Sequence, residues 1–120
     1  MDYIGLEQIR EYCLSKNNVA EDMPFGEETL CFRVLGKIFL LTGINGKPLQ
    51  INLKCDPERA IILREEHESI IPGYHMNKKH WNTLIIDGSL KYSLVKELID
   101  HSHNLIVASL PKLVRDKIEK

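Results

Sequence analysis

The residues from Pro72 to Trp81 have the sequence PGYHMNKKHW. They lie between a predicted helix and a predicted strand in the second half of the chain. Pro72 and Gly73 interrupt the preceding pattern, and we predict that the stretch begins as a short strand or extended segment. The run from about His80 to Ile86 is rich in β-branched and aromatic residues, which is typical of a strand. The stretch therefore predicts two strands joined by a polar turn.

The composition of this turn is unusual for the chain. It contains two lysines, two histidines, a tyrosine and the single tryptophan, with no acidic residue. Lysines can neutralise phosphates and aromatic rings can stack on bases, so the mixture suits an anionic partner with flat rings. A purely structural explanation is also open, in which Trp81 anchors the core and the lysines stay solvated.

A helix and three strands are predicted before this stretch. Asp56 followed by Pro57 has the pattern of a helix start, with an N-cap and a proline in the first turn, and the helix continues to about Glu68. The strands are predicted over residues 29–35, 37–42 and 49–55, with a tight turn at Gly36 and the hairpin signal Asn-Gly before the third.

The third strand alternates between apolar and polar residues, which predicts an antiparallel sheet that is buried on one side. Its open side would present Arg33, Gln50, Asn52 and Lys54, and no carboxylate. In the second strand, either Phe39 and Leu41 or Ile38 and Leu40 face outward, and the pattern leaves both possibilities open.

Helical periodicity marks both ends of the chain. Apolar residues recur at helical spacing within residues 3–16, and a long final helix is predicted from about Leu90 until Pro111. Residues 19–28 contain a proline, a glycine and four acids, which predicts a loop. We expect Phe25 in this loop to dock on the core.

The predicted order of elements is α-β-β-β-α-β-β-α. Runs of strands that are separated from helices indicate the α+β class rather than a doubly wound fold. A chain of 120 residues can bury one core, and we assign a single domain to residues 1–110. Residues 111–120 are predicted to form a basic C-terminal tail.

Four segments resemble the sequences of the MmcQ/YjbR family of small bacterial proteins. They are Met23–Gly26 (MPFG), Phe32–Phe39 (FRVLGKIF), Leu53–Ala60 (LKCDPERA) and Pro72–Thr83 (PGYHMNKKHWNT), in the family's order. The resemblance covers about residues 3–110. It implies an antiparallel sheet with helices packed on one face, similar to secretion chaperones. The family's fold has been compared with a double-wing DNA binder, so the resemblance also implies DNA binding.

The net charge of −1 does not favour nucleic acid, but the charge is unevenly distributed. Residues 1–30 carry seven acids and two bases, whereas residues 31–55 carry four bases and no acid. Positive charge therefore lies in the predicted strands, which matters more for the choice of partner than the total does. Lysines that protect sheet edges would give the same pattern, so both explanations remain open.

Other features narrow the possible functions. The chain has no apolar run of about 18 residues and no signal sequence at its start, so we expect a cytoplasmic protein without a membrane span. The three cysteines lack a Cys-x-x-Cys pair, and the histidines lack the clustering of a zinc site. No motif of nucleophilic or phosphate-binding catalysis is present, so we predict a non-enzymatic protein without a cofactor or metal.

The sequence therefore predicts a DNA-binding protein with two basic hairpin wings, one around Lys47 and one around Lys78 and Lys79. The residues assigned to the contact are Arg33, Lys47, Lys54, Tyr74, His75, Asn77, Lys78, Lys79, His80 and Trp81. Because these contacts are few, binding should be weak and strongly salt-dependent, and histidine protonation should strengthen it below about pH 6.5.

The alternative is a non-enzymatic protein-binding or chaperone-like module. An open sheet face or edge can accept an extended segment of a partner protein. An apolar open face would favour this alternative, and a continuous basic face would favour nucleic acid. In either case we expect a monomer or a weak homodimer.

Overall fold

The computed structural model describes residues 4–73 and 76–116, which form one antiparallel sheet and a layer of helices. The helices are α1 (Leu6–Leu14), α2 (Pro57–Glu66), α3 (Tyr92–Ser109) and α4 (Lys112–Arg115). The strands are β1 (Val19–Asp22), β2 (Thr29–Val34), β3 (Lys37–Gly43), β4 (Leu49–Lys54), β5 (Ile70–Pro72) and β6 (Trp81–Ile86). The strand order is β1-β2-β3-β4-β6-β5, and the helices pack on one face. The predicted α+β class is confirmed.

One strand lies where a loop was predicted. β1 pairs with β2 from Val19 opposite Val34 to Asp22 opposite Cys31, and it forms one edge of the sheet. Its two acidic residues alternate between the faces, where Glu21 accepts a hydrogen bond from Arg10 at 2.8 Å and Asp22 accepts one from Arg33 at 3.0 Å. The acidic residues of this segment contributed to the prediction of a loop. In the folded chain each of the two acids has a basic partner, which stabilises the strand.

The prediction that Phe25 docks on the core is wrong. Its side chain is 65% exposed, and Met23 in the same loop is 41% exposed. The loop lies beyond the last pair of β1 and β2, Asp22 and Cys31, and turns back at Gly26, whose φ is +114°. Phe25 therefore lies outside the core.

A bulge in β3 determines which of its side chains face outward. Phe32 pairs with Leu40, but the next residue, Arg33, pairs with Ile38, so Phe39 has no direct partner on β2. Phe39 and Leu40 are both fully buried on the helix side. Neither alternation predicted from the sequence holds along the whole strand, because a bulge inserts one residue and shifts the faces.

Helix α3 fastens the bulge and the end of β4. The Ser102 hydroxyl donates to the Phe39 carbonyl at 2.6 Å and accepts from the Lys54 N–H at 2.9 Å. One residue earlier in α3, His101 Nε2 accepts from the backbone N–H of Asp56, the N-cap of α2, at 3.1 Å. The ends of β4 and α2 are therefore fixed to α3 by polar contacts.

The helices in the described ranges are either too short or too polar to cross a membrane. The predicted tail begins with α4, whose Leu113 is 84% exposed, and residues 117–120 lie outside the described part.

Candidate functional site: a basic corner of the sheet

The candidate site lies where β4 ends and β6 begins. Lys54 and Trp81 are direct cross-strand partners on the sheet face that carries no helix, and the Cys55 N–H donates to the His80 carbonyl at 2.8 Å. Lys78 and Lys79 are exposed in the turn that precedes Trp81. We call the group Lys54, Lys78, Lys79, His80 and Trp81 the basic corner.

Asn77 shapes the turn that carries the two lysines. Its side-chain oxygen accepts from the Lys79 N–H at 2.9 Å and from the His80 N–H at 3.2 Å, and its carbonyl accepts from the Trp81 N–H at 2.9 Å. Local side-chain bonds of this kind stabilise turns. Asn77 was predicted to contact the ligand, but its acceptor oxygen is already used by its own turn.

Arg64 of α2 anchors the same turn from the helix side of the sheet. Its guanidinium donates to the buried Asn82 side-chain oxygen at 2.8 Å and also to the Lys78 carbonyl. Arg64 was not among the residues predicted for the site. Only the register of the folded chain brings it there, since its partners lie 14 and 18 residues further along.

The glycine of the motif is required by the approach of two backbones. The Gly73 N–H donates to the Trp81 carbonyl at 2.8 Å. A Cβ at Gly73 would lie 2.8 Å from the Trp81 Cβ and 2.9 Å from the Trp81 carbonyl oxygen. Any side chain at this position would therefore push the start of β6 away.

The lysines of the corner lack acidic partners. Within the described residues, Lys54, Lys78 and Lys79 form no salt bridge. Arg33 differs, because it is held by Asp22 at 3.0 Å and also donates to the Gly36 carbonyl at 3.0 Å. The corner therefore offers three uncompensated cations, whereas the guanidinium of Arg33 is already bound to Asp22 and to the Gly36 carbonyl.

The structure does not bring the two predicted wings together. Lys47 precedes β4 and lies near Ile86, the partner of Leu49, whereas Lys54 lies at the other end of the strand. A strand of this length spans roughly 17 Å, so Lys47 belongs to a separate surface. Tyr74 and His75 lie outside the described residues.

The face between these two ends is not basic. Across the strands, Leu41, Asn52, Thr83 and Ile71 are successive partners, and Thr83 donates to the Asn52 side-chain oxygen at 2.6 Å. The partly exposed residues of this face include Ile38, Leu41, Ile71 and Ile85. We call this surface the open face. It is a mixture of apolar side chains and paired polar ones.

The described residues give little support to a cysteine nucleophile or a metal site. All three cysteines are buried, and burial raises the pKa of each thiol, that of Cys13 to about 12. A thiol with a raised pKa is a poor nucleophile at neutral pH. Across residues 4–73 and 76–116, no group of three His, Cys, Asp or Glu side chains is arranged to hold a metal ion.

The chain is similar in sequence to known proteins. The family model named YjbR matches residues 14–105. The uncharacterised protein YbdF of Escherichia coli O157:H7 is 43% identical over 90 residues, which cover 74% of this chain and 73% of YbdF. The uncharacterised protein YjbR of E. coli K12 is 30% identical over 108 residues, which cover 89% of this chain and 91% of that protein.

Solved structures agree over nearly the whole length. The crystal structure of Deinococcus radiodurans protein DR2400, with the domain DUF419, matches with a TM-score of 0.91 and 38% identity, covering 98% of this chain and 89% of DR2400. A crystal structure from Pseudomonas syringae matches with a TM-score of 0.74 and 31% identity, covering 85% of this chain and 98% of that one. The motifs, the strand order and these matches together show that the chain belongs to the YjbR family.

Proposed function

We propose that the chain binds DNA weakly and without sequence specificity through the basic corner. One observation carries the proposal: three lysines that form no salt bridge within the described residues lie close to the partly exposed Trp81. Lys54 is the cross-strand partner of Trp81, and Lys78 and Lys79 precede it by three and two residues. Lys54, Lys78 and Lys79 would contact phosphates, and Trp81 would stack on a base.

The number of lysines determines how strongly binding should depend on salt concentration. Three phosphate contacts predict a slope of about −2.7 for the logarithm of the association constant against the logarithm of salt concentration on duplex DNA. Stacking on Trp81 requires an unpaired base, so single strands should bind at least as tightly as duplexes. This differs from a two-wing contact, because Lys47 takes no part.

Trp81 provides a direct measurement, since it is the only tryptophan of the chain. Its emission is titrated with a single-stranded and a duplex oligonucleotide at several salt concentrations, for the wild type and for Lys78→Ala/Lys79→Ala. The matched control is Lys91→Ala/Lys112→Ala, which also removes two exposed lysines but leaves the corner intact.

We expect the corner variant to reduce the salt slope to about −0.9 and the control variant to keep the wild-type slope. Equal losses in the two variants would mean that only total charge matters, which would contradict a site at the corner. The absence of any emission change and of any binding at low salt would contradict DNA binding itself.

The open face supports a second candidate function, the binding of a protein segment. Ile38, Leu41, Ile71 and Ile85 are partly exposed there without a covering helix, and Lys54 adds a charge at one end. The chemistry fits an extended segment with apolar residues and acids. A labelled peptide of alternating valine and glutamate tests this, because Leu41→Gln should weaken peptide binding and leave DNA binding unchanged.

A further inference from the structure

Exposed apolar side chains collect at the end of the sheet opposite the basic corner. Of the six large apolar side chains that are exposed within the described residues, three lie in the two loops there: Met23 at 41%, Phe25 at 65% and Ile44 at 37%. The loops are adjacent, since the Ile44 N–H donates to the Glu28 carbonyl at 2.9 Å. We call this surface the apolar end.

The apolar end also contains a groove of about 410 Å³ between the start of α1 and the β3–β4 connection. Its apolar lining includes Ile4, Leu6, Pro48, Leu49 and Ile86. A protruding aromatic ring and an open apolar groove therefore lie at the same end of the molecule. Neither is used by the basic corner or by the open face.

We propose that the apolar end is a dimer interface, in which Phe25 of each copy enters the groove of a second copy. In a twofold dimer the same patch is used by both subunits, so the patch must contain both the inserting group and its receptor. The apolar end has this property. Burial of two phenylalanine rings supplies the kind of aromatic anchor that dominates interface energetics.

The charges beside the two features are complementary. Glu27 and Glu28 follow Phe25, and Lys47 lines the groove. All three are exposed and form no salt bridge within the described ranges. Insertion of Phe25 into the partner's groove brings the two glutamates of one copy towards Lys47 of the other. A second copy therefore offers both an apolar groove for Phe25 and a charge partner for the two glutamates.

The dimer leaves the proposed DNA site free, because the basic corner lies at the opposite end of β4. Lys47 also acquires a role here that it lacks in the DNA site. The two proposals consequently fail independently, since Lys78→Ala/Lys79→Ala should weaken DNA binding without changing the oligomeric state.

Sedimentation velocity over a range of concentrations tests the interface. The wild type should pass from monomer to dimer as concentration rises, and Phe25→Ser should remain monomeric at every concentration. The control is Leu113→Ser, which removes the more exposed Leu113 (84%) from α4, outside the groove, and should dimerise like the wild type. A monomeric wild type at all concentrations, or a dimer that persists in Phe25→Ser, would overturn the proposal.

Charge reversal and cross-linking identify the contact itself. Lys47→Glu should weaken the dimer roughly tenfold, and the addition of Glu27→Lys and Glu28→Lys should restore it. A mixture of Glu27→Cys and Lys47→Cys chains should form a disulfide-linked heterodimer on oxidation, at a higher yield than either variant alone. Failure of the restoring variant together with equal cross-linking yields would place the interface elsewhere and refute the proposal.

Discussion

The two ends of β4 carry loops that are held in different ways. At the basic corner, side chains fix the turn: Asn77 bonds two backbone N–H groups and Arg64 bonds the Lys78 carbonyl. At the apolar end, the Met23–Glu28 loop has long backbone bonds, 3.4 Å from Gly26 to Met23 and 3.5 Å from Thr29 to Gly26, and a 2.9 Å bond from Ile44 to Glu28.

This difference follows from what each loop presents. Charged groups that contact phosphates act through distance and direction, so their backbone must be positioned accurately. An apolar contact is non-directional and depends mainly on the area removed from water. A loop that exposes Phe25 therefore needs less internal support than a loop that positions Lys78 and Lys79.

The largest expected effect is that of a glycine-to-alanine substitution at the basic corner, compared with the same substitution at the apolar end. Gly73→Ala places a Cβ 2.8 Å from that of Trp81 and should cost about 3 kcal/mol of folding stability. Gly43→Ala meets the Glu28 carbonyl oxygen at 3.8 Å, an ordinary contact, and should change stability by less than about 0.5 kcal/mol. Urea unfolding monitored by circular dichroism measures both. Equal losses would show that the corner is no more tightly packed than the apolar end.

Arg64→Ala is expected to have the next largest effect. It leaves the buried Asn82 oxygen without this donor and frees the Lys78 carbonyl, at a cost of about 2 kcal/mol. Arg59→Ala on the same helix removes an exposed ion pair with Glu97 and should cost less than about 1 kcal/mol. The unfolding free energies of both variants test this. A milder effect of Arg64→Ala than of Arg59→Ala would remove Arg64 as an anchor of the corner.

Substitutions of Asn77 separate the structure of the turn from its charge. Asn77→Ala removes an acceptor for two N–H groups and should cost about 1 kcal/mol. Asn77→Asp keeps the acceptor and should retain stability, but its added carboxylate should weaken DNA binding about threefold at low salt. Stability and emission titrations on the same samples measure the two effects. DNA binding unchanged in Asn77→Asp would argue against phosphates at this turn.

The smallest effect is a pH dependence that arises in the helix layer between the two ends. Burial, followed by the nearby Arg59 guanidinium, lowers the pKa of His101 below 6.5, and burial lowers the pKa of His103. The unfolded chain then binds more protons, so this stability is complete above about pH 6.5 and is lost as pH falls through the lowered pKa values.

Urea midpoints between pH 8 and pH 5 should therefore decrease towards acid. His101→Gln retains an acceptor for the Asp56 N–H and does not titrate, so its midpoint should depend less on pH than that of the wild type. The same dependence in both proteins would assign the effect to other groups.

Features that depend on neighbours in the chain were predictable. The Asp56 cap and Pro57 start α2 as expected, and the alternation of β4 puts Ile51 and Leu53 in the core. The turn at Leu35 and Gly36 joins β2 to β3, with both residues at positive φ. Capping, turn chemistry and periodicity act within a few residues, so they can be recognised without the fold.

The candidate site was only partly predictable, for a physical reason. Composition identified Lys54, Lys78, Lys79 and Trp81, because cations and aromatic rings are recognisable as residue types. It could not indicate that Asp22 occupies Arg33, since that ion pair depends on the pairing of a strand whose acids suggested a loop. Lys47 was grouped with the corner because a sequence does not show at which end of a sheet a loop lies.

By itself the sequence determined the types of most elements, the α+β class and the identity of the cations, all of which follow from local patterns and residue chemistry. Tertiary structure alone decided the bulge at Phe39, the support of the corner by Arg64 and the exposure of Phe25. These features arise from contacts between residues far apart in the chain, or from the lack of such contacts, and strand register creates them only when the sheet and helices have assembled.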